Sequence, residues 1–343
     1  MGLEPPPTTP SSPTARFFPC KQCGAKLQFE PGTTLLKCPY CSAENAIEGV
    51  EERASERDFE DELARLEGSH EAETVDTVQC NGCRAVLTLA ANITSLSCPF
   101  CGTNIVNQGR TISHIKPDCV LPFMIRRERA EEAYKKWIKS RWFAPTKLKS
   151  QSMLDAALKG IYLPAWTYDC DTTTAYTGQR GDAYYVTRTV RVNGRLTTRQ
   201  ERRIRWSPAA GTVFVHFDDV LVLASKTLPR PLAEKLEPWD LKTATPYKDD
   251  FLAGFTAECY TTDLKQGFGE AQVKMAPEID AAIRANIGGD EQRITTRKVK
   301  YSRITFKHIL LPVWVSAYRF NGKVFQFLVN ARTGEVQGQR PWS

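Results

Sequence analysis

Two four-cysteine clusters near the N-terminus constrain this chain more than any other feature. The first runs Cys20-Lys-Gln-Cys23, then fourteen residues, then Cys38-Pro-Tyr-Cys41. The second runs Cys80-Asn-Gly-Cys83, fourteen residues, then Cys98-Pro-Phe-Cys101, so the C-x2-C-x14-C-x2-C unit recurs sixty residues on. A CxxC bends the backbone into a knuckle that aims two thiolates at one point, and two facing knuckles supply the tetrahedral shell that zinc prefers. Eight of the eleven cysteines are used in this way. The expected cofactors are therefore two structural zinc ions per chain, with Cys20, Cys23, Cys38, Cys41, Cys80, Cys83, Cys98 and Cys101 as ligands. Iron in a rubredoxin-like site satisfies the same ligand type. Redox dithiols or disulfides are a third reading. No secretory signal pattern opens the chain, and a reducing cytoplasm keeps thiols free for metal. A four-thiolate shell has no open position for substrate or activated water, so these metals are expected to hold folds together and not to catalyse.

The clusters divide the chain of 343 residues. Residues 1–16, rich in Pro, Ser and Thr, have little to bury and are expected to be a disordered tail. Residues 17–48 and 76–107 are expected to form two small β zinc ribbons, each depending on its metal for stability. Residues 49–75 read as an acidic helical linker, with Phe59, Leu63 and Leu66 as its apolar stripe and Gly68 as its stop. The linker carries ten acids and three bases, whereas the tail and both ribbons balance; of the net charge of +7, residues 108–343 must therefore carry +14. A basic domain of that size suits nucleic acid, an anionic membrane surface or an acidic protein.

Residues 108–343 read as an α+β domain. Helices are predicted over 127–142, 231–236 and 269–287. Asn193-Gly194 and Asn321-Gly322, each flanked by strand formers, predict hairpins, and Val213–Phe217 with Val220–Leu223 suggests a β pair around Asp218-Asp219. Ile161-Tyr-Leu-Pro-Ala-Trp166 echoes Ile309-Leu-Leu-Pro-Val-Trp314, with Val120-Leu-Pro-Phe123 as a partial third copy, which suggests two pseudo-repeats. Pro at such positions opens an edge strand and Trp packs in a core, though Trp166 and Trp314 could also line a groove.

The search for catalytic motifs is negative. There is no GxxxxGK[ST], HExxH, GxSxG or GxGxxG after a strand, and His70, His114, His216 and His308 show no metal-ligand spacing. Asp169 with Asp171, and Asp218 with Asp219, are the nearest thing to a carboxylate site, and a solvated turn explains each pair as well. Cys119, Cys170 and Cys259 are singletons expected in the core. No small-molecule substrate is inferred.

Three segments, LPFMIRRERAEEAYKKWIKSRWFAP, GIYLPAWTYDCDTTTAYTGQRGDAYY and FKHILLPVWVSAYRFNGKVFQFLVNARTGEVQGQRPWS, resemble a bacterial family that pairs N-terminal zinc ribbons with a C-terminal domain of unknown function. Such proteins often carry the label of primosomal protein N′, a replication-restart helicase, but this chain lacks the P-loop that activity needs. It is also similar to the zinc-ribbon component of PspA-type membrane-stress systems, where the implied role is an adaptor. The resemblance implies the same eight cysteines as zinc ligands and no catalytic residue.

The sequence thus leads to a non-catalytic, cytoplasmic adaptor that mediates protein–protein interactions, touching membrane only peripherally or through a partner. The alternative is a nucleic-acid-binding accessory factor in DNA replication or repair. Its best surface is the stretch 188–205, where Arg188, Arg191, Arg195, Arg199, Arg202, Arg203 and Arg205 lie in one predicted hairpin beside Tyr184, Tyr185 and Trp206.

Overall fold

The computed structural model describes residues 18–49, 54–68, 74–88, 95–106, 110–140, 158–192, 195–320 and 323–339. The tail 1–16, residues 50–53 and 69–73 of the linker, and the turn residues Asn193, Gly194, Asn321 and Gly322 lie outside them.

The first cysteine module is a three-stranded antiparallel sheet, β1 (Gln28–Phe29), β2 (Leu35–Lys37) and β3 (Glu44–Ala46). The linker then enters the main sheet as β4 (Arg57–Asp58) before turning into α1 (Phe59–Gly68). This helix spans the Phe59–Leu66 stripe and ends at the expected Gly68, but it begins later than the helical reading of the linker from residue 49. The Asp58 carboxylate accepts the Asp61 N–H at 2.9 Å, a cap that fixes the helix start, and the preceding residues pair with a strand instead. Its buried stripe is also different, since Leu66 is exposed while Glu62 is buried between Arg57 and Arg65.

The second module comprises β5 (Thr74–Gln79), β6 (Val86–Thr88), β7 (Ser95–Ser97), β8 (Asn104–Val106) and β9 (Arg110–Ser113). These form one sheet of order β6-β5-β9 and a separate pair β7-β8. β10 (Cys119–Val120) and α2 (Arg127–Lys139) lead onward to two very long strands, β11 (Lys159–Val192) and β12 (Arg195–Leu223). After them come α3 (Arg230–Glu234), β13 (Thr245–Pro246), β14 (Thr256–Ala257) and α4 (Leu264–Ile287). The chain closes with β15 (Glu291–Phe320), β16 (Lys323–Asn330) and β17 (Val336–Gly338). The main sheet runs β12-β11-β15-β10-β13, with β4 and β16 also on β15, β14 on β11 and β17 on β16. It is mainly antiparallel, and the region after residue 108 is sheet-rich with a few helices.

Two sequence expectations change here. Val213–Phe217 and Val220–Leu223 are not a hairpin; both belong to β12, which runs straight past a bulge at Asp218-Asp219. There Asp219 takes a φ of 53°, and its N–H is held by the Asp169 carboxylate. The turn-like dipeptide is thus absorbed within one strand. The echoed motifs, in turn, meet in space: Leu163 pairs with Leu311 and Tyr162 with Pro312 across β11 and β15, while Val120 lies beside Leu310 in parallel. Trp166 is fully buried, donating to Thr262 O at 2.9 Å, so no groove is lined by it; Trp314 donates to Ile125 O at 2.8 Å.

Three apolar clusters hold these parts together. α4 covers one face of β11, β12 and β15 with Phe268, Met275, Ile279, Ile283 and Ile287. Its close approach depends on Gly267, where a Cβ would come within 2.4 Å of the Tyr168 hydroxyl. Leu27, Phe29, Leu36 and Ile47 of the first module share a cluster with Val120, Phe123, Tyr162, Phe251 and Trp314. Val78, Leu87, Phe100 and Ile105 of the second module share another with Leu121, Ile161, Leu163, Ile309 and Leu328. Among the described residues, therefore, neither module has an apolar cluster of its own.

Candidate metal centres

Each cysteine pair sits on the same turn. In the first module Cys20 N–H donates to Ala25 O (2.7 Å) and Gly24 N–H returns to Cys20 O (2.9 Å); Cys38 N–H donates to Ala43 O (2.9 Å) and Ser42 N–H to Cys38 O (3.0 Å). In the second, Cys80 N–H donates to Ala85 O and Arg84 N–H to Cys80 O, both at 2.8 Å. Cys98 N–H donates to Thr103 O (2.8 Å) and Gly102 N–H to Cys98 O (3.0 Å). The residue after the second cysteine of every pair is left-handed: Gly24 at φ 72°, Ser42 at 60°, Arg84 at 63° and Gly102 at 73°. The sequence shows glycine at only two of the four. Ser42 and Arg84 adopt the conformation regardless, at a cost of roughly 1–2 kcal/mol for a side-chain-bearing residue.

These knuckles bring the sequence-identified ligands together. The Cys20–Cys41 sulfurs are 3.6 Å apart and Cys23–Cys38 3.5 Å; Cys80–Cys101 are 3.5 Å apart and Cys83–Cys98 3.6 Å. All four sulfurs of each group lie within 4.8 Å of one another. A metal with bonds of about 2.3 Å to a tetrahedron of thiolates sets sulfurs about 3.8 Å apart, so the spacing fits one ion per group. It is far wider than the roughly 2.05 Å of a disulfide. Ligand thiols must ionise, and each group holds thiols predisposed to do so: the Cys23 N–H holds Cys20, and the Cys41 N–H holds Cys38, below the usual range, and the hydrogen bond from Cys98 does the same for Cys83. The two four-cysteine groups can thus each hold a metal ion.

The centres are seated differently. In the first, Cys23 is exposed and the neighbouring Tyr40 is 82% exposed, although Cys20 and Cys38 are buried. In the second, Cys80, Cys98 and Cys101 are buried, and Phe100, the counterpart of Tyr40, is wholly enclosed. Residues far away in sequence close over it. Gln326 Nε2 donates to Phe100 O and Lys159 Nζ to Ser97 O, both at 2.6 Å, and Cys259 N–H donates to Val86 O at 2.9 Å. None belongs to a motif, so sequence reasoning had no signal by which to find them.

The other sequence candidates separate. Asp169 does not work with Asp171; it joins Asp218 and Asp219 in a third group of carboxylates within 4.8 Å. Burial pushes Asp169 up to about 7, and Lys307 already sits among these acids, 2.8 Å from Asp219 and 3.1 Å from Glu56. Asp171 instead meets His216 at 2.9 Å and Arg303. His114 and His308, which show no motif, have rings 5.7 Å apart, and the Nδ1 of each donates to Ile115 O; burial pushes His114 down to about 4. Cys119, Cys170 and Cys259 are buried. A cleft of about 770 Å³ between the first module and the sheet is floored by Phe29, Phe255 and Trp314.

The arginine stretch lies on a projecting part of the sheet. β15 stops pairing with β11 at Gly181↔Glu291, and beyond it β11 and β12 continue as two strands from Asp182↔Arg205 to Val192↔Arg195. Arg188, Arg191, Arg199, Arg202 and Arg205 are exposed and Arg203 half-buried; the side chain of Arg195 lies outside the described part.

No family model matches the chain, and no solved structure matches it. It is similar to the uncharacterized protein YdjG of Bacillus subtilis (strain 168), with 26% identity over 335 residues that cover 95% of this chain and 90% of YdjG. Among the described residues no helix is long and apolar enough to cross a membrane.

Proposed function

We propose that this chain is a non-catalytic adaptor whose two cysteine modules are zinc ribbons, each closed around a structural zinc ion. The observation that carries the reading is the pair of all-sulfur groups with sulfurs 3.5–3.6 Å apart, built into the apolar clusters of the protein. Four thiolates saturate zinc and leave nothing for substrate, so such an ion braces the backbone around it. Bracing one module against the sheet at its hairpin, and leaving its second knuckle with Tyr40 outward, makes a rigid protein-binding surface. The assignment to a membrane-stress or membrane-remodelling system rests on the family resemblance, and the cytoplasm as its place on the free cysteines, since a reducing compartment keeps such thiols available for metal.

Elemental analysis of anaerobically purified protein tests the metal part: about two zinc per chain are expected from two four-ligand sites, and clearly less than one overturns it. Crosslinking and affinity purification from the chain's own cells test the adaptor part. A stoichiometric protein partner that is retained by wild type and lost by Tyr40→Asp is expected, and a chain recovered alone sinks the adaptor.

A further inference from the structure

The arm beyond Gly181 is a two-stranded ribbon of about 35 Å, at 3.3 Å per residue. Its sequence from Asp182 to Arg205 holds seven arginines and two acids, a net charge of +5, and no lysine. Residues opposite one another on paired strands share a face. Arg188 therefore stands beside Arg199, and Tyr184 beside Arg203, on one face, while Tyr185, Thr187, Thr189, Arg191, Thr198, Gln200 and Arg202 share the other. Like charges placed directly opposite are destabilising, and the arm compensates only in part. Glu201 is shared between Arg188 (3.2 Å) and Arg203 (3.3 Å), and Arg202 pairs with Glu291 at 2.9 Å. Arg191 and Arg199 have no carboxylate partner among the described residues. The arm contributes no residue to the apolar clusters, so folding does not call for this charge.

We propose that this arm binds duplex DNA, lying in the major groove with its arginines on the flanking phosphates. Four observations favour that partner. The charge is complementary to a phosphate backbone, and every cation is arginine, whose planar fork matches phosphate and guanine in a way that lysine does not. A two-stranded β-ribbon has the width that the major groove of B-form DNA admits. The face opposite the Arg188–Arg199 pair carries threonine, glutamine and tyrosine, side chains that donate and accept at base edges. Tyr185 is 64% exposed, with Tyr184 under the Arg205 guanidinium at 5.4 Å, whereas among the described residues Leu196 is the one large aliphatic side chain left open on the arm, too little for a lipid surface. The inference does not depend on the zinc assignment, because no residue of the arm shares an apolar cluster with the eight cysteines.

The experiment is a fluorescence-anisotropy titration of full-length protein with a fluorescent 30-base-pair duplex across a salt series starting near 50 mM. Wild type should bind with a steep salt dependence. The fourfold variant R188A/R199A/R203A/R205A should lose at least about 100-fold in affinity at low salt and flatten the slope by about 3–4, at roughly 0.9 per phosphate contact. The corresponding fourfold Arg→Lys variant should keep most of the slope while losing about tenfold in affinity, through its missing bidentate contacts. It also guards against misreading an alanine variant that fails to fold. Duplex binding untouched by either variant would overturn the proposal. So would a wild type that ignores DNA near 50 mM salt yet binds anionic phospholipid vesicles or polyglutamate through the same arginines.

Discussion

The two cysteine modules share a ligand spacing and a knuckle geometry, yet the protein uses them differently. The first is fastened at its hairpin: Phe29 N–H donates to Ala253 O at 2.9 Å, Gly32 N–H to Phe123 O at 2.8 Å, and Glu30 meets Arg126 at 2.5 Å. Its cysteine knuckles stay near the surface, with Cys23 and Tyr40 exposed. The second is fastened at its hairpin, where Thr88 Oγ1 donates to Ala257 O at 3.0 Å, and again at its second knuckle through Phe100. A single position in the repeat, Tyr40 against Phe100, therefore separates a surface from a core contact. Identical spacing specifies the metal shell and leaves its surroundings open.

The largest test of this difference removes one ligand from each module. Cys98→Ser takes away a site that is worth about 10–16 kcal/mol when structural zinc is bound and leaves a polar group inside a shared core, so calorimetry should show no cooperative melt. Cys23→Ser removes a comparable site at the surface, and the sheet should keep a cooperative transition at lower temperature. Equal behaviour of the two variants would erase the distinction. Next comes the aromatic pair, read by urea denaturation: Phe100→Ala should cost about 3–5 kcal/mol, as for other enclosed aromatics, and Tyr40→Ala no more than about 0.5 kcal/mol. The smallest effect concerns the knuckle backbone. Arg84→Gly should stabilise by about 0.5–1 kcal/mol, because glycine relieves the left-handed strain and gives back part of it as unfolded-state entropy. Gly24→Ala should cost a similar amount; a Cβ there meets nothing within 4 Å, so any loss reads backbone strain alone.

Much of the candidate site was legible. The two four-cysteine groups follow from cysteine spacing, since a CxxC knuckle is a local structure that aims its two thiols at one point. The knuckle turn was half legible: Gly24 and Gly102 announce a left-handed residue, whereas Ser42 and Arg84 take the same φ only because the turn's hydrogen bonds and the facing knuckle enforce it. Long-range partners gave no signal. Lys307 comes to Glu56 across 251 residues and Gln326 to Phe100 across 226, and no periodicity spans such distances. The Asp218-Asp219 dipeptide misled because turn chemistry and a β-bulge draw on the same residues; the neighbouring long strand decided between them.

The sequence by itself determined the two four-cysteine groups, the sheet-rich region with helices that follows them, and the arginine-bearing hairpin, because each is written in local spacing or alternation. Tertiary structure alone decided that β12 runs unbroken through its bulge, that the three Leu-Pro motifs lie side by side, and that Tyr40 of one cysteine module is exposed while its counterpart Phe100 is enclosed. Those outcomes depend on which apolar face finds which partner, and burial is a property of the whole packed chain that no local pattern encodes.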